Sequence, residues 1–257
     1  PVIYFILPQV WAWNQDRVNL MKKYIDQSIS IVPFEKTWFE SRGLPVKYVG
    51  HPFSEQISQN ETKKDILARH GFNKSDPILV LLPGSRQQEI EKHWPIFIKA
   101  VWTIKKRISN LQVLVICAPD ITLNRIPKHI QPESNTRLAL SIASAAIVSS
   151  GTATLECVME NTPIVVCYKM SVFSWLIAKM MAKQKYISLI NLIANDDVVK
   201  EFLQYKLTDS NLSNSIIPLL DKKNISRRKI LKKYQTIRDL LGKPGVYNRA
   251  AKQILEK

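Results

Sequence analysis

Two short stretches carry residue types that could hold a phosphorylated ligand. In Ser150-Gly151-Thr152-Ala153-Thr154-Leu155-Glu156 an apolar run ends in a glycine-containing turn that opens a helix. Glycine lets a backbone approach a ligand closely, and the N–H groups at a helix start bind anions. Thr152 and Thr154 add hydroxyl donors, and Glu156, one turn into the helix, could accept hydrogen bonds from a ribose diol while the helix start holds a diphosphate. The same pattern also describes a capped strand–helix turn with a surface glutamate. The second stretch, Pro83-Gly84-Ser85-Arg86, follows the apolar run Ile78–Leu82. Ligands of open α/β sheets bind at the carboxyl ends of strands, and an arginine fork donates two hydrogen bonds to phosphate at once. Its other reading is a helix cap, with Ser85 capping and Glu89 supporting it. Two further stretches are weaker. Trp11 and Trp13 could line a cleft or fill a core. Between Tyr168 and Tyr186, Phe173, Trp175, Leu176, Met180 and Met181 interleave with Lys179, Lys183 and Lys185, which suits a helix on anionic lipid or one packed on a sheet.

Other chemistries are missing from the sequence. It has no Walker loop, no GxGxxG, no Ser/His/Asp order and no glycosidase-type carboxylate pair, which argues against ATPases and nicotinamide enzymes. Cys117, Cys157 and Cys167 stand singly in apolar stretches and His51, His70, His93 and His129 are scattered, so neither a metal site nor a disulfide framework is indicated, and no cofactor is expected. The formal charge of +16 calls for an anionic partner or surface, unless it only reflects a lysine-rich lineage. The basic residues are densest at Lys222-Lys223, Arg227-Arg228-Lys229 and Lys232-Lys233. The most apolar stretch, Val172 to Ala194, contains three lysines, whose cost at a bilayer centre rules against a spanning helix.

These stretches need elements to position them. Strands alternating with helices predict an α/β fold with parallel sheets. Residues 1–52 read as strands at Val2–Leu7, Ser28–Pro33 and Val46–Gly50, with helices at 16–27 and 34–42. That is too little for a stable doubly wound domain alone, so it is taken as the remnant of a first domain. Because residue 1 is proline and the chain opens directly in a strand, a preceding segment is expected. Residues 53–75 read as a linker with an entry helix, 76–226 as a second Rossmann-like domain, and 227–257 as C-terminal helices broken at Gly242-Lys243-Pro244-Gly245. Helices are also predicted at 172–181, 200–205 and 212–220.

Several motifs in register resemble the lipid-A-disaccharide synthase family across nearly the whole chain. They are Pro8-Gln9-Val10-Trp11-Ala12-Trp13, Pro33-Phe34-Glu35, Val49-Gly50-His51-Pro52, Leu82-Pro83-Gly84-Ser85-Arg86 with Glu89, Ser150 through Glu156, Tyr168-Lys169-Met170 and Asn191-Leu192-Ile193-Ala194. The resemblance implies a GT-B architecture of two Rossmann-like domains, the first incomplete here, with the last helix returning to the first domain. It implies an inverting, metal-independent hexosyltransferase. The donor would be UDP-2,3-diacylglucosamine and the acceptor 2,3-diacylglucosamine 1-phosphate, giving the β-1′,6 disaccharide and UDP at the cytoplasmic face of an anionic inner membrane. By matched position Arg86, Gly151, Thr152, Glu156, Phe173, Asn191 and Gln204 are expected to line the donor site: Glu156 at the ribose, Arg86 and the Gly151-Thr152 turn at the diphosphate, Asn191 at polar donor groups, and Phe173 near the uridine or sugar. A homodimer through the C-terminal helices is implied in the same way.

The family's glycine-rich opening and its proposed aspartate base have no counterpart in this sequence, so no catalytic residue is assigned here and the base is expected upstream. The rival readings are another GT-B enzyme acting on UDP-N-acetylglucosamine, a nucleotide-sugar-binding remnant without activity, and a basic nucleic-acid-binding protein. Steep salt dependence of RNA or DNA binding would mark the last, although no nucleic-acid module is visible. The chain is therefore expected to bind UDP weakly and not to turn over; detection of the disaccharide product in an assay of this chain would overturn that expectation.

Overall fold

A computed structural model describes residues 1–55, 61–117, 121, 123–170 and 185–255. The chain divides into two compact units, one built from Pro1–Ile57 and Thr236–Lys257, the other from Ser58–Met170 and Ile187–Gln235.

The first unit begins with a three-stranded parallel sheet: β1 (Ile3–Phe5), β2 (Gln27–Ser30) and β3 (Val46–Tyr48), in that order. Helices α1 (Val10–Trp13), α2 (Arg17–Tyr24) and α3 (Pro33–Glu40) connect them. Strand β2 stops at Ser30, earlier than the sequence pattern suggests, because Pro33 is the first residue of α3. Its ring presets a helical φ, and the N–H it lacks would have no helical partner there. Gly43, at φ +76°, takes the left-handed conformation that closes α3. Leu7, Val10, Val18, Met21, Phe39, Leu44 and Val46 form the core on one side.

One buried acid organises the strand ends of this unit. Glu35 is 1% exposed; one carboxylate oxygen accepts from Trp11 Nε1 at 2.9 Å and the other from Ser30 Oγ at 2.5 Å. Trp11 is thus a core residue, held by its indole N–H, while Trp13 is 53% exposed. The motifs around Trp11 and Glu35 meet here because a buried acid must have its oxygens hydrogen-bonded.

The second unit opens with α4 (Lys63–His70), started by a capping box in which Thr62 and Asp65 bond each other's backbone N–H, and ended by Gly71 at φ +61°. Then come β4 (Ile78–Leu82), α5 (Gln87–Arg107), β5 (Gln112–Ile116), β6 (Gln131–Glu133), α6 (Thr136–Ile142), β7 (Ala145–Ser149), α7 (Ala153–Met159), β8 (Ile164–Tyr168), α8 (Leu189–Ala194), β9 (Glu201–Leu203) and α9 (Asp209–Leu220). The six strands pair in parallel in the order β6-β5-β4-β7-β8-β9. Every residue of β4 and β7 is buried, as expected of inner parallel strands covered on both faces. Helix α5 turns Ile90, Trp94, Phe97, Val101 and Ile104 inward, a spacing of three and four that lines one face. Burying each such side chain is worth about 1.5–3 kcal/mol relative to leaving it in water.

Four elements, α1, β6, α6 and α8, have no counterpart in the sequence reading, and a further expectation is corrected. Residues 200–205 form no α-helix. Glu201–Leu203 is an edge strand paired with Val166–Tyr168, followed by a 3-10 turn at Gln204–Lys206. Edge pairing with β8 supplies the backbone partners, overriding the local preference of Glu, Leu and Gln for a helix. The predicted helix at 172–181 lies outside the described residues.

The chain continues into α10 (Ile225–Leu241) and α11 (Val246–Leu255), and the residues from Thr236 on belong to the first unit. There Val246 and Ala250 pack with Ile29 and Val49. The Val49-Gly50-His51-Pro52 motif forms the seat of these helices. The His51 N–H donates to the Leu241 carbonyl at 2.8 Å, and Arg249 Nε donates to the Val49 carbonyl at 2.8 Å. Glu55 accepts from the Gly245 and Val246 N–H groups at 2.9 and 2.6 Å. Gly50, at φ +91°, lies so close that an added Cβ would come within 3.2 Å of the Leu241 oxygen. No helix among the described residues is long and apolar enough to cross a membrane.

Burial raises the pKa of Glu35. A carboxyl group whose folded pKa lies above its unfolded value loses stability as pH rises from the unfolded pKa through the folded one. Glu35→Gln can keep both contacts, accepting from Trp11 and donating to Ser30 Oγ. The expected outcome is that the difference in unfolding free energy, glutamine variant minus parent, grows more positive as pH rises from 4 to 7 in chemical denaturation.

Candidate functional site

The order β6-β5-β4-β7-β8-β9 reverses direction between β4 and β7: from β4 the chain crosses to β5 on one side, and from β7 to β8 on the other. At such a reversal the loops leaving the two carboxyl ends diverge and leave a crevice. A cleft of about 180 Å³ lies there, lined by Leu82, Gly84, Ser85, Ser149, Ser150, Gly151, Thr152, Ala153 and Glu156, with Glu89, Ile116 and Thr136 completing it.

The wall after β4 is shaped by Gly84, at φ +139°, where an added Cβ would stand 3.0 Å from Glu89 Oε2. The helix cap expected at Ser85 is not formed. The N-cap of α5, a helix of 21 residues that begins beside the cleft, is Arg86, whose side chain makes no capping hydrogen bond among the described residues. The Arg86 side chain is 78% exposed and reaches Glu89 at 3.2 Å. A surface pair of this kind holds weakly, leaving the guanidinium ready for a stronger anion.

The wall after β7 carries the turn. Gly151 has open space where its Cβ would be, with no atom within 4 Å, so the absent side chain widens the cleft rather than relieving a clash. The two threonines part company. Thr154 is fully buried and its hydroxyl donates to the Gly151 carbonyl at 2.7 Å, which fixes the turn; it is not a free donor for a ligand. Thr152 is exposed and makes no side-chain cap bond. Helix α7 is only seven residues long, so the anion-attracting field comes chiefly from α5. Glu156 sits one turn into α7 and lines the cleft. Burial raises its pKa, partly offset by Arg137, which itself pairs with Glu160 at 2.6 Å.

Asn191 and Gln204 do not line this cleft. Asn191 is 1% exposed with its amide fully engaged: Oδ1 accepts from the Val198 and Val199 N–H groups, both at 3.0 Å, while Nδ2 donates to the Val199 carbonyl at 2.9 Å and to Glu201 at 2.8 Å. It therefore shapes the approach to β9, and its expected contact with polar donor groups finds no free amide atom. Glu201, unmarked in the sequence reading, accepts in addition from the Ile187 and Ser188 backbone and the Ser188 hydroxyl. Gln204 follows β9 at φ +50°, and its buried Nε2 has no partner among the described residues. A left-handed non-glycine residue with an orphaned donor is a combination that accompanies ligand sites. Phe173 lies outside the described residues. The structure thus brings Gly151, Thr152 and Glu156 together opposite the turn that precedes Arg86. It adds Ser149, Ile116 and Thr136; Thr136 follows Asn135, whose side chain caps α6, a cap that could have marked this helix start in the sequence.

Comparison with known proteins places these features in context. A family model described as lipid-A-disaccharide synthetase matches residues 1–257. The lipid-A-disaccharide synthase of Myxococcus xanthus is 33% identical over 268 residues, covering 100% of this chain and 69% of its own length. That of Coxiella burnetii is 30% identical, covering 98% and 68%, and lipid-A-disaccharide synthase 1 of Legionella pneumophila is 36% identical, covering 84% and 58%. Among solved structures, spinosyn rhamnosyltransferase SpnG complexed with thymidine diphosphate superposes with a TM-score of 0.61 at 12% identity, over 100% of this chain and 67% of that one. A putative UDP-N-acetylglucosamine 2-epimerase from Listeria monocytogenes gives 0.61 at 13% identity, over 93% and 62%. The structural likeness is one of fold, that of the GT-B glycosyltransferases.

Replacing Asn191 by alanine leaves the Val198 and Val199 N–H groups buried without acceptors, and the expected loss is about 3 kcal/mol or more of unfolding free energy in denaturant titration. A loss below about 0.5 kcal/mol, within the usual range for a surface substitution, would contradict this assignment.

Proposed function

This chain belongs to the lipid-A-disaccharide synthetase family, and from that premise we propose that its second unit holds the nucleotide of a UDP-sugar donor in the cleft between the turns after β4 and β7. In this reading the whole enzyme transfers 2,3-diacylglucosamine from UDP to 2,3-diacylglucosamine 1-phosphate with inversion. The bond between the anomeric carbon and the β-phosphate oxygen breaks as the acceptor hydroxyl attacks from the opposite face, and UDP leaves.

The observation that carries the reading is the cleft itself. It lies where strand order reverses and combines two glycine-bearing turns, the start of a long helix, an adjacent exposed arginine and a half-buried carboxylate. Each feature has a task in this reaction. The leaving diphosphate gains negative charge as the glycosidic bond breaks, and Arg86 with the N–H groups at the start of α5 stabilises that charge. The Gly151-Thr152 turn allows the phosphates close to the backbone, with the Thr152 hydroxyl as a further donor. Glu156 accepts the ribose hydroxyls, and Gln204 Nε2, without a partner among the described residues, serves the donor from the end of β9, outside the nucleotide cleft. The base that takes the acceptor's proton is not among these residues.

The net charge of +16 fits a partner surface of anionic lipid, where acylated substrates reside. The protein is accordingly expected to act as a peripheral protein at the cytoplasmic face of that membrane.

Calorimetric titration of the chain with UDP tests the reading. Ribose hydroxyls donate to ionised Glu156, so affinity is highest above the raised pKa of this group and falls as pH drops through it. Glu156→Ala is expected to weaken binding about tenfold, the equivalent of one charge-assisted hydrogen bond. Glu156→Gln is expected to flatten the pH dependence relative to the parent. Equal affinities for UDP in all three proteins would remove Glu156 from the site, and no binding by the folded parent would remove the nucleotide reading.

A further inference from the structure

His93 is fully buried on the inward face of α5, and its ring has two backbone partners of opposite character. Nδ1 lies 2.7 Å from the carbonyl oxygen of Pro83, and Nε2 lies 2.9 Å from the backbone nitrogen of Lys169. A carbonyl can only accept and a backbone N–H can only donate. The ring is therefore neutral, carrying its proton on Nδ1 and receiving the Lys169 N–H at Nε2. A second proton would set two donors against each other at Lys169. Burial, which is the largest influence on this group, acts in the same direction by lowering its pKa. Phe97 stacks on the ring at 6.1 Å between centroids, and Tyr168 lies against it at 6.3 Å.

The places the ring joins give this bond pair its consequence. Pro83 begins the turn after β4, the turn of Gly84, Ser85 and Arg86, while Lys169 follows the end of β8. Strand β7 lies between β4 and β8 and carries the Ser150-Gly151-Thr152 turn. The imidazole thus ties together the two loops that flank the ligand turn, on the carboxyl edge of the sheet. An ordinary core histidine could satisfy itself with any buried partners; this one links two segments that no direct strand pairing holds in register. We propose that His93 is a positioning residue that holds the turn after β4 and the Tyr168-Lys169 segment at the separation a nucleotide diphosphate requires. The proposal rests on the nucleotide reading above. It also gives the Tyr168-Lys169-Met170 motif a task, since its backbone is one end of the tie.

The test uses the full chain and UDP as the probe, with folding followed by circular dichroism and thermal unfolding. His93→Phe keeps a ring to stack on Phe97 and removes both hydrogen bonds, and its affinity for UDP is expected to fall about tenfold. His93→Gln reaches Lys169 with a side-chain oxygen and is expected to recover most of that loss. In the parent, ¹⁵N spectra of the histidine ring are expected to show a neutral ring protonated at Nδ1, whose signals shift when UDP is added although the ring does not touch it. Parent-like affinity in a folded His93→Phe, or a ring that is charged or protonated at Nε2 near pH 7, would overturn the proposal and leave the nucleotide reading standing. Should the phenylalanine variant fail to fold, a His93→Gln protein no tighter than a comparably folded His93→Ala, or ring signals unmoved by UDP, would overturn it. If the folded parent does not bind UDP, the nucleotide reading falls and takes this proposal with it.

Discussion

The adjacency of β4 and β7 governs the second unit. Leu79 to Leu82 pair with Ala145 to Val148 in parallel register, and both strands are buried along their length. A slip of one residue would turn each side chain to the opposite face and disrupt the packing on both sides, so the register is strongly held. With the register held, Leu82 and Ser149 end side by side, and the chain must leave them in opposite directions to reach β5 and β8. The crevice between the departing loops is a consequence of that connectivity. Gly84, Gly151, Arg86 and Glu156 acquire a common location from it, although 67 residues separate Gly84 from Gly151 in sequence.

Within this frame the polar groups fall into two kinds, and their partners tell them apart. Glu35, Asn191 and Glu201 are engaged by protein donors or acceptors on their buried polar atoms and hold loops in place. Thr154 joins them, its hydroxyl closing the Gly151 turn. Glu156, Thr152 and Gln204 are different. Glu156 is a partly desolvated carboxylate in a cleft, Thr152 offers a hydroxyl at its edge, and Gln204 has a buried N–H₂ unanswered among the described residues, on a left-handed backbone. Burial without a partner costs free energy that a folded chain rarely tolerates unless something else answers it.

The same logic explains the family motifs that carry no chemistry. Val49-Gly50-His51-Pro52 offers a backbone stripped of Cβ at Gly50 so that the Leu241 carbonyl and Val246 can come close, with Arg249 completing the contact. Pro33-Phe34-Glu35 supplies a helix start and the buried acid that fixes Trp11. Their roles lie in the packing of the first unit.

Much of this protein is legible in its residues taken alone. Apolar runs of five, such as Ile78–Leu82, cannot be left in water and read as buried parallel strands. Glycine after an apolar run marks a turn that a ligand can approach, and the ordered motifs carry the family. Local pattern therefore shows the α/β class, the two turns of the cleft and Glu156. It does not show which polar side chains find partners, because those partners are brought in by the fold: Trp11 for Glu35 and Lys169 for His93 from far along the chain, and Val199 and Glu201 for Asn191 only because the segment between them folds back. Nor does it show that residues 201–203 extend, since an edge strand is decided by the hydrogen-bonding row of its neighbour β8 and not by its own propensity. Assigning Thr154 and Asn191 to the scaffold, and recognising the tie made by His93, required the tertiary structure, since hydrogen-bond satisfaction belongs to the folded chain and has no signature in residue type.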